Sequence, residues 1–421
     1  MLVEFKVKNF RSFKDECSLS LVASSDKTHA QANVAPTSIK GIPGLLRSAA
    51  IYGANASGKS NLIRAIQLMR ALVAESATLQ IDQKLNVQPF ALDSIAKNEP
   101  TEFEITFLIG NIRYQYGFTV TPDRIVSEWL IVYKTAKPQI WFRREYDRSL
   151  QKEEYFFGPS LLGQRQVWRK STRPNALFLS TAVQLNSEQL RPVFDWLNRM
   201  VIFENGAIPI FFHTVNYIEL NPKNNIQSLM TAADIGINGV EIVKRKGIAQ
   251  EIKVDFATGK VDTVQKEQEN LMPLFSHAGP HGKAVFEFQD ESEGTQRLFA
   301  FAGPLFEIFR DGRVLCVDEL DRSLHTLLVR QLVSMFHDPS INTGGAQLIF
   351  TTHDTALLDA DILRRDQIWF TEKNSDQSSQ LYPLTDFSAR KNEAFEKGYL
   401  AGRYGGIPIL QHLKVSAIGR Q

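Results

Sequence analysis

The chain has 421 residues, 43% of them hydrophobic, and a net charge of +2 from 48 basic and 46 acidic side chains. That length supports a large core in one elaborate domain or two to three smaller ones, and the near balance of charge does not imply a permanent nucleic-acid coat while allowing a local basic stripe. Two cysteines, Cys17 and Cys316, make no disulfide framework, and Cys316 lies in an apolar run that reads as core.

In chain order, Val3, Phe5 and Val7 alternate with Glu4, Lys6 and Lys8, the period of a half-exposed strand and not of a signal peptide. Residues 1–25 read as antiparallel strands broken at 9–12, and 26–47, with Pro36, Gly41, Pro43 and Gly44, as a loop. Residues 49–51 suit a buried strand, and Leu62, Ile63, Ile66, Leu68 and Met69 recur at helical spacing. Residues 102–109 and 112–120 alternate on either side of Gly110-Asn111, a hairpin signal, and another strand is expected through 126–133. From 135 to 270 the pattern weakens. Helices are expected near 186–200 and 226–236, no heptads persist, and 264–283 reads as a loop. Residues 298–309 are helical in pattern, and "RVLCVDEL", "QLIFTTHD" and "DQIWF" are apolar strands. Such strands alternating with helices imply a parallel sheet covered on both faces. No run approaches the roughly 20 apolar residues that cross a bilayer, so a cytoplasmic setting with no membrane contact is expected.

The segment Gly53-Ala54-Asn55-Ala56-Ser57-Gly58-Lys59-Ser60 fits G-x-x-x-x-G-K-[ST] between that strand and that helix. Its glycines let successive N–H groups curl around a phosphate at the positive end of the helix. Gly53, Asn55, Gly58, Lys59, Ser60 and Asn61 are the expected nucleotide-binding set, with Lys59 reaching the β- and γ-phosphates and Ser60 ligating Mg²⁺. The second motif is Val314-Leu315-Cys316-Val317-Asp318-Glu319, an apolar strand that delivers two carboxylates to its C-terminal end, where open α/β sheets bind ligands. Asp318 is the expected support for Mg²⁺, and Glu319 the general base on water. Lys59 and Asp318 lie about 260 residues apart, so a large insertion separates two halves of one site. His353, ending the next apolar strand, is placed to contact the γ-phosphate.

These pieces together resemble the bacterial AAA-family ATPases of the SMC/RecF-like ABC type encoded in anti-phage operons, among them the ATPase subunits of PARIS-type and AbiL-type systems. The resemblance is carried by "FKVKNFRSF", "AAIYGANASGKSNLI", "ESEGTQRLF", "VLCVDELDRSLH", "QLIFTTHDTALLD" and "YLAGRYGGIPIL", over nearly the whole chain. It implies an ABC/SMC-like P-loop ATPase head with an antiparallel β lobe, built from residues 1–134 and 271–421, and an inserted mixed α/β subdomain at 135–270. It also implies Mg²⁺-dependent hydrolysis of ATP to ADP and phosphate, and ATP-dependent head-to-head association into a homodimer or higher homo-oligomer. Ser292 and Gly294 would act on a partner subunit's nucleotide, although "SEGTQ" departs from the L-S-G-G-Q of transporter ATPases. Asp321 would open a D-loop, and His353 would be the switch histidine. A separate toxic effector encoded nearby is the expected partner, with the ATPase as sensor and scaffold in antiviral defence.

Three other readings remain open at this stage: a RecF-like DNA repair ATPase with DNA as partner, an ABC transporter subunit, and a scaffold that holds ATP with little turnover. The glutamine loop is undecided between Gln88 and Gln139. The i, i+4 pair His277 and His281 is interrupted by Gly279 and Pro280, which argues against a metal site. Asp359 and Asp361 form a D-x-D without the context of a nuclease. Arg143, Arg144, Arg165, Arg169, Lys170 and Arg173 make the insert locally basic, a solvated face or a contact with nucleic acid or a partner. Trp141, Phe142, Arg143, Trp168 and Arg169 have the composition of an effector interface, or build the subdomain core.

Overall fold

The computed structural model describes residues 1–204, 210–223, 225–233, 236–255, 260–387 and 394–408; within 247–255 and 260–268 it describes the backbone alone. The chain divides into two compact units. The first comprises Met1–Gly206, Asp311–Leu320 and Arg330–Gln421, and the second Ala207–Arg310 and Asp321–Val329.

The first unit holds two large sheets. A seven-stranded antiparallel sheet has the spatial order Lys152–Phe157, Gln139–Asp147, Ile125–Tyr133, Ile112–Val120, Thr101–Ile109, Leu2–Lys8, Cys17–Ser20. A six-stranded sheet has the order Val201–Phe203, Val314–Val317, Gln347–Thr351, Ser48–Gly53, Ile368–Lys373, Ser379–Pro383, with only the last pair antiparallel. The apolar runs at 48–52 and 347–351 are buried throughout, as a sheet covered on both faces requires. Helix Lys59–Glu75 buries Leu62, Ile63, Ile66, Met69 and Val73 in a core shared with Phe5, Phe103, Ile105 and Phe118 of one sheet and Ile51, Cys316 and Ile349 of the other. Each such side chain contributes about 1.5–3 kcal/mol on burial, so the helix that opens at the phosphate loop is anchored along its length. Among the described residues, no helix is long and apolar enough to cross a membrane.

Several elements differ from expectation. Residues 26–47 are not one loop: Val34–Ile39 and Ile42–Leu46 pair as a two-stranded sheet around Gly41. Pro36 and Pro43 hid the pattern, which such a short edge ribbon tolerates. The antiparallel sheet also runs on past residue 134, because Gln139–Asp147 pairs with Ile125–Tyr133, and Lys152–Phe157 follows it. The compact division therefore falls near residue 206, where the sequence suggested 134.

Three of the aromatic residues of 141–173 and one of its arginines are internal, whereas Arg143 and Lys170 are exposed. Trp141, Phe142 and Trp168 are buried, and Phe142 packs on Phe178 at 4.7 Å. They form core, because helices Arg165–Ser171 and Phe178–Gln184 cover this end of the sheet. Arg144 is a buried strut: it donates to the Ala176 carbonyl at 2.7 Å and to Glu153 Oε1 at 2.8 Å. Beside it, buried Glu128 accepts N–H groups of Phe178 (2.6 Å) and Leu179 (2.9 Å) and the Tyr116 hydroxyl (3.0 Å). Burial pushes the Glu128 carboxyl up, and Arg144 and these donors oppose the shift.

A second buried polar group sits beneath the parallel sheet. His337 Nε2 lies 2.8 Å from Ser48 Oγ. Burial, assisted by Arg47 and His29, pushes its imidazole down to about 3 from 6.5. The folded state therefore keeps His337 neutral while the unfolded chain protonates it as pH falls below 6.5. Stability from this group is complete above that pH and is lost toward pH 3, at about 1.4 kcal/mol per pH unit. His337→Gln should flatten the fall in urea midpoint between pH 6.5 and 4 by about one proton; an unchanged slope would remove His337 from the acid response.

The second unit contains helices Phe212–Leu220, Ile226–Ala232 and Glu293–Asp311 and a three-stranded antiparallel sheet. In that sheet, strand Ile237–Asp255 pairs with Lys260–Gly279 from Ile237↔His277 to Asp255↔Lys260. The expected loop at 264–283 is thus mostly strand. The sequence "QKEQEN" shows no apolar alternation there, and a two-stranded ribbon does not require any. Thr214 donates its hydroxyl to the Phe299 carbonyl at 2.8 Å and accepts the Gly303 N–H at 3.0 Å, tying the first helix to the last.

Candidate functional site

Parallel strands Ser48–Gly53, Val314–Val317 and Gln347–Thr351 end at one edge of their sheet. That edge collects what the sequence scattered: the loop after Gly53, the carboxylates at 318–319 and the turn at 352–354. Gly58 has φ +121°, and a Cβ there would lie 2.5 Å from Ser379 Oγ, so the close turn admits only glycine. Ser57 Oγ is 2.6 Å from Thr371 Oγ1, which fixes the loop to the neighbouring strand.

The buried Lys59 ammonium donates to the Gly53 carbonyl at 2.7 Å and to the Ala54 carbonyl at 3.1 Å, which holds it against the loop. Ser60 Oγ donates to Asp318 Oδ1 at 3.0 Å across 258 positions of sequence. The same carboxylate oxygen accepts the Thr351 hydroxyl at 2.7 Å, and Thr351 Oγ1 in turn accepts the Glu319 N–H at 2.7 Å. Thr351 therefore orients both acids, a role the sequence reading missed although "TTHD" contained the residue. Glu319 has φ +56°, a strained conformation for a residue with a Cβ. That turn separates the directions of neighbouring acids: Asp318 is buried, whereas Glu319 is half-exposed.

A cavity of about 280 Å³ is lined by Asn55, Lys59, Ser60, Asn61, Glu319 and His353, together with Ser12, Arg64 and Lys373. A larger one, about 620 Å³, shares Ser12, Asn61 and Lys373 and adds Arg11, Gln88 and Phe90. Arg11, Ser12, Arg64 and Lys373 were not singled out from sequence as site residues, although Arg11 and Ser12 lie in the stretch "FKVKNFRSF". The Asn61 amide donates to Ser12 Oγ at 2.8 Å, and Arg64 donates to Asn61 Oδ1 at 3.2 Å. Partial burial and then the neighbouring Arg64 lower the Arg11 guanidinium from its ordinary value. Of the two candidate glutamines, Gln88 lines the larger cavity, and Gln139 begins a strand of the antiparallel sheet.

Within the second unit, the exposed Ser292 precedes helix Glu293–Asp311 and accepts the Thr295 N–H at 3.2 Å. A Cβ on Gly294 would lie 2.9 Å from the Ser323 carbonyl oxygen. Ser323 Oγ donates to Glu293 Oε1 at 2.6 Å, and the Leu324 N–H donates to the Asp321 carbonyl at 3.3 Å. The segments holding Ser292-Gly294 and Asp321-Ser323 are thus packed together. His277 Nε2 is 2.7 Å from Glu291 Oε1, and Arg330 donates to Asp359 Oδ2 at 2.8 Å. Among the described residues, no three histidine, cysteine or acidic side chains cluster as a metal site.

No curated protein matches the chain. One solved structure similar to it is described as "Crystal structure of the SmcHead bound to the C-winged helix domain of ScpA", at 13% identity and a TM-score of 0.41, covering 91% of this chain and 97% of that one. The sequence profile of a family described as "AAA domain, putative AbiEii toxin, Type IV TA system" matches residues 48–359. That span holds the phosphate loop, the acid-bearing strand and the histidine turn, and the chain belongs to this AAA-domain family.

Proposed function

We propose that the chain hydrolyses ATP to ADP and phosphate at the Lys59–Ser60–Asp318–Glu319 cluster, and that ATP joins two copies of it. The observation that carries this reading is the 3.0 Å hydrogen bond from Ser60 to Asp318. A hydroxyl and a carboxylate brought together beside a phosphate loop are the hard oxygen donors that Mg²⁺ takes. When bound there, Mg²⁺ would neutralise charge on the phosphates. Gly53, Asn55, Gly58, Lys59 and Asn61 hold the nucleotide. Glu319, turned toward the cavity edge, takes the proton of the attacking water, and His353 senses the γ-phosphate. Ser292 and Gly294 of one subunit complete the site of another, with Asp321 alongside.

The biological role we propose is a sensor and scaffold in antiviral defence, of the kind found in PARIS-type and AbiL-type systems, which controls a separate toxic effector. The toxin–antitoxin description of the family supports a role of this class. Of the five residues considered for an effector contact, Trp141, Phe142 and Trp168 are buried in the core, and Arg143 stays exposed. Expression of the chain alone should be harmless, and the product of a neighbouring gene should co-purify with it. Growth arrest by the ATPase alone, abolished by Lys59→Ala, would place the toxicity in this chain and overturn the separate effector.

A further inference from the structure

The motif "YLAGRYGGIP" near the C-terminal end has no part in the chemistry assigned so far, yet it reaches the nucleotide site from behind. Helix Phe395–Leu400 buries Tyr399, whose ring stacks on Phe370 at 5.4 Å and meets Tyr52 at 5.9 Å. Phe370 and Tyr52 belong to the strands on which the phosphate loop is built. The Tyr399 hydroxyl donates to the Gly406 carbonyl at 3.1 Å. Gly406 lies against the phosphate loop itself: a Cβ there would be 3.6 Å from the Gly53 Cα. Gly405, at φ +65°, makes this approach, because a side chain would strike the Tyr382 hydroxyl at 2.5 Å.

The same helix holds the histidine turn. Glu396 Oε1 accepts the Thr355 hydroxyl at 2.8 Å. Thr355 opens the 3₁₀ turn Thr355–Leu357 directly after His353 and Asp354. Tyr52 Oη donates to the Asp354 carbonyl at 3.2 Å, so the two attachments are linked through the strand that ends in Gly53.

We propose that residues 395–406 are a positioning strap for the nucleotide site, in which Tyr399 fixes the first glycine of the phosphate loop and Glu396 fixes the turn that follows His353. Its catalytic consequence rests on the ATPase reading above, while the attachment itself does not. Tyr399 and Glu396 are positioning residues: they act through Gly53 and His353.

Three measurements test the strap. In the protein without nucleotide, Glu396→Ala should speed amide exchange in residues 351–358 by roughly three- to tenfold, the factor one hydrogen bond is worth. Glu396→Gln, whose amide oxygen still accepts the Thr355 hydroxyl, should exchange at the wild-type rate. In steady-state hydrolysis, Glu396→Ala should lower kcat by roughly tenfold with KM within about twofold, and Glu396→Gln should restore it. Tyr399→Phe, which keeps the ring stack, should weaken MgATP binding several-fold with little change in melting temperature. Unchanged exchange in Glu396→Ala, or equal losses in Glu396→Ala and Glu396→Gln, would overturn the strap. Absence of hydrolysis in the wild-type protein would instead overturn the ATPase reading and leave the exchange result to decide the strap.

Discussion

Glu319→Gln should bind MgATP as tightly as the wild-type protein and lose turnover by on the order of 10²–10⁴-fold, the range a general base contributes. The two halves of this expectation come from different atoms. In the proposed site, binding uses the loop N–H groups, Lys59 and the Ser60–Asp318 pair, none of which the substitution touches. Water activation as proposed needs a carboxylate at 319. The Glu319 N–H to Thr351 Oγ1 bond is a backbone contact, so the amide side chain leaves the strained turn intact. Nucleotide titration beside phosphate release measures both halves in one preparation. Turnover near the wild-type level with binding preserved would remove Glu319 from the mechanism.

The second large effect is recovery of activity from two dead proteins. Lys59→Ala disables the phosphate loop, and Gly294→Asp disables the segment proposed to serve a partner. The second change acts where even a Cβ meets the Ser323 carbonyl at 2.9 Å. If each site takes Lys59 from one subunit and Gly294 from the other, a mixed dimer has one site with both defects and one with neither. Random pairing of equal amounts makes about half the dimers mixed, so about a quarter of the wild-type turnover should return. No recovery, with subunit exchange demonstrated by differently tagged chains, would mean that Ser292 and Gly294 do not act in trans.

The parts legible in the sequence were those whose chemistry is local. The phosphate loop, strand Val314–Val317 with its acids and the strand before His353 each carry their pattern within a dozen residues, and parallel-sheet burial makes their apolar runs continuous. What long-range pairing decides stayed hidden. The strand Gln139–Asp147 reads as basic surface because Arg143 and Arg144 stand in it, yet Arg144 is neutralised inside by Glu128 and Glu153. Glu128 lies in a different strand, so spacing gives no sign of the pair. Thr351 looks like an ordinary strand end until Asp318 arrives beside it from the neighbouring strand. The ribbon at 237–279 failed for a different reason: its pairing is backbone to backbone and imposes no apolar period. Arg11 and Lys373 come to one cavity from distant parts of the chain, and only the fold unites them.

Phosphate release from MgATP, measured per chain over a range of protein concentrations, tests the central claim most directly. An ATPase whose sites are shared between two copies turns over slowly when dilute, rises with concentration as heads associate and reaches a plateau, and Lys59→Ala removes the activity at every concentration. No phosphate release at any concentration, or release that Lys59→Ala leaves unchanged, would contradict hydrolysis at this cluster. A Lys59-dependent rate per chain that stays constant down to concentrations where sedimentation shows only monomers would contradict the shared site.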